Sequence, residues 1–184
     1  MPETDSRLLT AARNGNEAAF LDLYHRYRTP LFRFAWRLTG SVAAAEDVTQ
    51  ECFLAILGGA SFDARHGSLR PYLFGITRNL ALKKLRISQR EAEEMEDAEA
   101  GGDPLGDLLS AERSQAVARA VSALPPLQKE ALVLFEYEEL SLDEIAEVAG
   151  IETGAVKARL HRARETLRRH LAPLLAPRTE RRWS

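Results

Sequence analysis

The residues of this sequence best equipped for chemistry are a row of cations: Lys157, Arg159, His161, Arg162, Arg164, Arg168 and Arg169. Between them Val156, Leu160, Ala163, Leu167 and Leu171 recur at the spacing of one helical face, which leaves the cations on the outer faces. Such a row can bind phosphate, and a helix that carries it fits a DNA major groove when a second helix braces it. The residues just upstream supply that brace. Ser141 can accept from the backbone N–H two or three residues on, and Glu144 completes a Ser-x-x-Glu capping box. Leu142, Ile145, Ala146 and Ala149 form an apolar stripe, and Gly150 stands where a helix stop is expected. Thr153 can cap the second helix. Residues 141–171 are therefore expected to form a helix-turn-helix with a cationic second helix. An ordinary helical hairpin with a solvated basic face fits the same residues as well.

Two further constellations stand in the first half of the chain. Residues 61–90, SFDARHGSLRPYLFGITRNLALKKLRISQR, begin as a loop with Phe62, Arg65, His66 and Ser68. They continue as a helix bearing Arg70, Tyr72, Arg78, Asn79, Lys83, Lys84 and Arg86. Cations that follow phosphates, interleaved with aromatics that stack on unpaired bases, suit a single strand of nucleic acid. The plainer reading makes Tyr72, Phe74 and Ile76 core and the cations solvated. In AEDVTQECFLAIL, residues 45–57, Val48, Cys52, Ala55 and Ile56 can face a core. Asp47, Gln50, Glu51 and Leu54 then share a neighbouring face at offsets of three and four. An acidic and amide stripe beside one apolar residue suits a basic helical partner, and a solvated helix face is the alternative.

No catalytic residue is expected. There is no phosphate loop, no His-x-x-x-His pair and no nucleophile with an adjacent base, so an enzyme has nothing to rest on. The single cysteine, Cys52, excludes an intramolecular disulfide and a multi-cysteine zinc site. No cofactor or metal is expected. The net charge of −2 hides segregation. Residues 91–112 hold nine Asp or Glu and no Lys or Arg, whereas residues 154–184 hold nine Lys or Arg against two Glu. Opposed blocks of this kind suggest a polyanion-binding end and an acidic middle. The N-terminus lacks a basic start followed by an apolar core, and no apolar run approaches the ~20 residues that span a bilayer. Neither secretion nor membrane insertion is expected, which makes a cytoplasmic location the default.

The elements that must position these groups are helices. Helical patterning covers residues 8–13, 18–39, 43–57, 69–89, 111–124 and 127–137, followed by the 141–171 hairpin. Pro30 is expected to bend or interrupt the second of them. Residues 91–106 are acidic, lack aromatics and contain Gly101-Gly102-Asp103-Pro104, the composition of a flexible linker. The fold class is thus all-α, with two small helical domains. The division is 1–90, a linker at 91–109, 110–172, and a frayed basic tail at 173–184.

Taken in order, these segments resemble an extracytoplasmic-function (ECF) sigma factor of the sigma-70 family. The resemblance rests on AAFLDLYHRYRTPLFRFAWRLTG, AEDVTQECFLAIL and RPYLFGITRNLALKKLR, then on ALPPLQKEALVLFEYEELSLDEIAEVAG and GAVKARLHRARETL. It covers most of the chain apart from the linker. It implies a sigma2-type N-terminal bundle and a sigma4-type helix-turn-helix, and promoter-specific initiation with core RNA polymerase. By resemblance Asp47, Gln50, Glu51 and Leu54 meet the β′ clamp helices, and the C-terminal domain meets the β flap. The same resemblance gives Phe62, Arg65, His66, Ser68, Arg78, Asn79 and Lys83 to the minus-ten element. Thr153, Lys157, Ala158, Arg159, His161 and Arg162 fall to the minus-thirty-five element, with Arg159 nearer phosphate or packing. An anti-sigma factor is an implied partner. Tyr72 stands where the family usually has Trp, and Lys83 where Asp is common. The competing reading is a stand-alone helix-turn-helix regulator, which needs a dimerisation helix that this sequence does not display.

Overall fold

The computed structural model describes residues 4–63, 67–94 and 111–175 of the 184. Among them are eight helices and no strand: α1 (Asp5–Arg13), α2 (Glu17–Thr39), α3 (Val42–Leu57), α4 (Leu69–Glu94), α5 (Ala111–Ser122), α6 (Pro126–Glu136), α7 (Leu142–Ala149) and α8 (Thr153–Leu175). No helix among the described residues is long and apolar enough to cross a membrane.

Local signals set most boundaries. Asn16 accepts from the Ala19 N–H at the start of α2, and Ser41 accepts from the Ala44 N–H at the start of α3. Gly40 closes α2 with φ of 70°, a left-handed conformation that costs glycine little. Arg13 reaches across from α1 and donates to the carbonyls of Ile56 and Ala60 at 2.7 and 2.6 Å. It thereby satisfies acceptors that the end of α3 leaves open. At α7 both halves of the capping box form: Ser141 Oγ accepts from the Glu144 N–H, and Glu144 Oε2 accepts from the Ser141 N–H.

Three expectations are corrected and one is narrowed: Pro30 lies inside α2 and does not interrupt it. A proline removes only one backbone bond, and Tyr27, Leu31 and Phe34 pack that stretch into the core. The fourth helix runs past Gln89 to Glu94, since Glu and Ala are good helix formers. The last helix continues through Pro173 to Leu175, because the fixed φ of proline is itself helical. Thr153 does not cap α8: it is the first helical residue, and its hydroxyl donates to Asp143 Oδ1 at 2.9 Å. The turn residue Glu152 instead presents its carbonyl to the N–H groups of Ala155 and Val156. The Gly101 to Pro104 signature and most of the expected linker and tail lie outside the described residues.

Helices α1 to α4 pack together, with α2 against α1, α3 and α4. Phe34 and Phe74 meet edge-on at 5.3 Å in the middle of this bundle, both shut from solvent. Helix α8 packs on α5, α6 and α7 to make the second bundle. Val156, Leu160 and Ala163 are its inward face, as the spacing predicts. The two bundles then pack on each other, α4 against α7 and α2 against α6, and share one continuous core. That contact explains a detail of α7 that periodicity alone misassigns. Val148 is buried and Ala149 only half-buried, since α7 is covered by α4 as well as by α8.

Candidate nucleic-acid interface

Helix α3 separates its faces cleanly. Val48, Cys52 and Ile56 are buried along with Ala45, Thr49 and Phe53. Asp47, Gln50 and Glu51 are exposed on the outside, and Leu54 is 61% exposed beside them. Leu54 is the most exposed large apolar side chain among the described residues. Lys84 of α4 leans over this face, its Nζ 3.3 Å from Asp47 Oδ2 and 3.4 Å from Glu51 Oε1. The hydrogen bond to Asp47, with help from Glu51, raises the Lys84 ammonium above its ordinary value. Burial pushes the Cys52 thiol up to about 11, only partly offset by Thr77. A thiol so placed is a core residue and not a nucleophile.

The expected minus-ten residues fall into three groups. Asn79, Lys83 and Ser68 are exposed. Phe62 is half-buried and lies against Tyr72 at a ring distance of 5.2 Å. The departure from Trp at position 72 is thus a packing residue that carries the loop's aromatic. Arg78 is turned inward: its side chain is 14% exposed, and its Nε lies 2.8 Å from Glu130 Oε1. Arg65 and His66 lie outside the described residues.

On α8, Lys157, Ala158, His161 and Arg162 are exposed and opposed to the buried stripe. A shallow groove runs between them and α6 and α7, floored by Phe135, Leu142 and Leu160. Arg164 lies over the Phe135 ring at 5.5 Å and pairs with Glu136 at 2.8 Å. Arg159 behaves unlike its neighbours. Only 18% of its side chain is exposed, and its Nη1 is 3.7 Å from Glu130 Oε1.

Glu130 is the residue that sequence reasoning missed. It is 1% exposed and faces one arginine from each bundle. A fully buried carboxylate is rare and must be paired. The available signal was its neighbourhood: five apolar residues in a row, Ala131 to Phe135, exceed a single amphipathic stripe. Such a helix is covered on more than one side, which leaves a glutamate at its start little water to face. Nearby, Arg70 donates to the Glu138 carbonyl, and the Arg37 guanidinium lies over the Tyr137 ring at 4.1 Å. Glu139 turns this loop with φ of 52°, which brings Glu138 against the first bundle.

Comparison with known proteins agrees with this layout. The Sigma-70 region 2 family model matches residues 23–91, and the Sigma-70 region 4 model matches residues 114–167. The chain is 31% identical to the ECF RNA polymerase sigma factor SigW of Bacillus subtilis, over 88% of this chain and 94% of the relative. It is 30% identical to the RNA polymerase sigma-H factor of Pseudomonas aeruginosa, over 94% and 96%. Among solved structures it is similar to CnrH in complex with the cytosolic domain of CnrY. The TM-score is 0.69 at 25% identity, covering 93% of this chain and 99% of that one. It is also similar to RpoE bound to the anti-sigma factor NepR from Bartonella quintana. The TM-score is 0.67 at 26% identity, covering 83% and 96%. The chain belongs to the ECF group of the sigma-70 family, whose members are not enzymes themselves but initiation factors that direct RNA polymerase to promoters.

Proposed function

We propose that this sigma factor splits its work between two domains, residues 1–90 and 110–172, joined by the acidic linker at 91–109. The first docks on the β′ clamp helices of core polymerase through Asp47, Gln50, Glu51 and Leu54. It then opens the minus-ten element and holds an unstacked base with the 62–68 loop, Arg78, Asn79 and Lys83. Unstacking costs a few kcal/mol, which contacts to the flipped base must return. The second domain meets the β flap and reads the minus-thirty-five duplex with Thr153, Lys157, Ala158, Arg159, His161 and Arg162. Two solved structures similar to this one are complexes with CnrY and NepR. By that likeness an anti-sigma factor is a partner here too.

The observation that carries this reading is the α3 face, where Leu54 stands 61% exposed among Asp47, Gln50 and Glu51. Leu54 is more exposed than any other large apolar side chain of α3, Val42 at 40% included, and we read it as left for a partner. The test is capture by core polymerase followed by run-off transcription on a promoter library. The chain is expected to co-purify with core polymerase and to give discrete start sites with shared upstream elements. The variant with Asp47, Gln50 and Glu51 all changed to Ala should lose capture, and undiminished capture would sink the clamp assignment.

A further inference from the structure

We propose that Arg13, the last residue of α1, is a positioning residue for base capture: its guanidinium fork fixes the turn that aims Phe62. The proposal rests on the base-capture reading above. The Sigma-70 region 2 match begins at residue 23, so α1 lies outside it.

Helix α3 leads directly to Phe62, so the turn at its end decides where that ring stands. Gly58 donates to the Leu54 carbonyl at 2.8 Å, and Ala60 donates to the Ala55 carbonyl at 3.1 Å. Gly59 between them has φ of 94°, a conformation that any side chain would strain. Ile56 belongs to the last turn of α3, whose carbonyls have no partner within the helix. Arg13 ties that turn to the chain beyond it. Its Nε donates to the Ile56 carbonyl at 2.7 Å, and its Nη2 donates to the Ala60 carbonyl at 2.6 Å. Both donors belong to one rigid planar group, so the two carbonyls are held at a set spacing. Bonds donated by a cation are about twice as strong as neutral ones. A cation at a helix C-terminus also suits the helix dipole.

The fork is itself held from behind. Leu8, Leu9 and Ala12 of α1 are buried. At the other end of α1, Asp5 accepts from Arg26 and from the Tyr27 hydroxyl, both on α2. Helix α1 is thus anchored on α2 by its first turn and grips the end of α3 with its last. Two residues past Ala60, Phe62 lies against Tyr72 of α4 at 5.2 Å. The ring is located twice, by Tyr72 through its face and by Arg13 through its backbone. A binding group works only when the residues behind it hold it to within about 0.5 Å.

The test uses holoenzyme assembled on core polymerase. The probe is a single strand carrying the non-template minus-ten sequence of the run-off promoter, and a series in which each base in turn is abasic. For the parent, loss of the captured base should weaken binding about tenfold or more. In Arg13→Ala the intact strand should already bind about tenfold more weakly, and loss of the same base should cost no more than about twofold. Capture by core polymerase should be unchanged. The control is Ser41→Ala, which removes the cap at the opposite end of α3 and should keep the parent's sensitivity. Equal sensitivity in Arg13→Ala and the parent overturns the proposal. So does lost sensitivity in Ser41→Ala, which would make the effect one of stability alone. Should Arg13→Ala fail to fold, Gly59→Val decides. Among the described residues a Cβ at Gly59 meets nothing within 4 Å, so that substitution strains the turn alone. It should lose the same sensitivity, and retained sensitivity overturns the proposal. A parent insensitive at every position removes base capture itself, whereas a sensitive parent matched by its variants removes only the role of Arg13.

Discussion

The outer face of α3 and the seam between α4, α6 and α8 are both charged, yet they stand in opposite states. On α3 the carboxylates face water, and Leu54 stands beside them without a core to enter. In the seam one carboxylate is shut from water and is paired by charge with two arginines that are themselves mostly buried. A charged row on a helix thus tells what a protein can bind, whereas the partners of that row within the fold tell when. In this chain the α3 face is open to a partner, whereas Arg78 and Arg159 are spent on Glu130 within the fold.

The comparison can be broken first at the level of the fold. Phe34 is fully buried against Phe74, and Phe34→Ala should cost about 3–5 kcal/mol in urea unfolding. Leu54→Ala should change stability by no more than about 0.5 kcal/mol and still weaken capture by core polymerase. A Leu54→Ala loss of stability near that of Phe34→Ala would mean that the α3 face belongs to the core. The seam side is probed by Ser141, whose capping box orders α7 against α4. Ser141→Ala should lower the thermal stability by about 1 kcal/mol while capture by core polymerase is unchanged. Lost capture would show that the two regions are not independent.

The smallest effect is one of pH. Burial raises the Glu138 carboxyl above the ordinary glutamate range, and Arg37, Arg70 and Arg33 lower it only in part. The folded chain therefore binds this proton more tightly than the unfolded chain does. The resulting stability is fully present below the unfolded pKa and is lost as pH rises through the raised folded value. Glu138→Gln should flatten that part of the stability profile and leave the neutral-pH fold slightly more stable. A steeper profile in the variant would mean that the three arginines outweigh burial.

What the sequence disclosed and what it concealed differ by range. Capping at Ser141 and Glu144, the stop at Gly150 and the outward stripe of α3 depend on neighbours a few residues away, and all are legible. The two family-specific halves are legible as well, because each string of residues matches as a unit. Glu130 depends on Arg78 and Arg159, far away in both directions along the chain. A period-3.6 reading treats it as a solvent residue at the start of an amphipathic helix. Arg78 and Arg159 suffer the same fate: patterning puts them on outer faces, whereas both turn inward to Glu130, Arg78 across to the other bundle and Arg159 within its own. The loss of Val148 to the seam has the same origin.

Lys84 has a consequence for how association depends on salt. Its ammonium already sits between Asp47 and Glu51, as a counterion tethered to the fold rather than drawn from the buffer. A basic partner arriving at α3 displaces this lysine instead of mobile ions. On the proposed clamp docking the exchange would leave the ion atmosphere nearly unchanged, so capture by polymerase should be less sensitive to ionic strength than the charges on this face imply. The displaced ammonium would then be free, one position along α4 from Lys83.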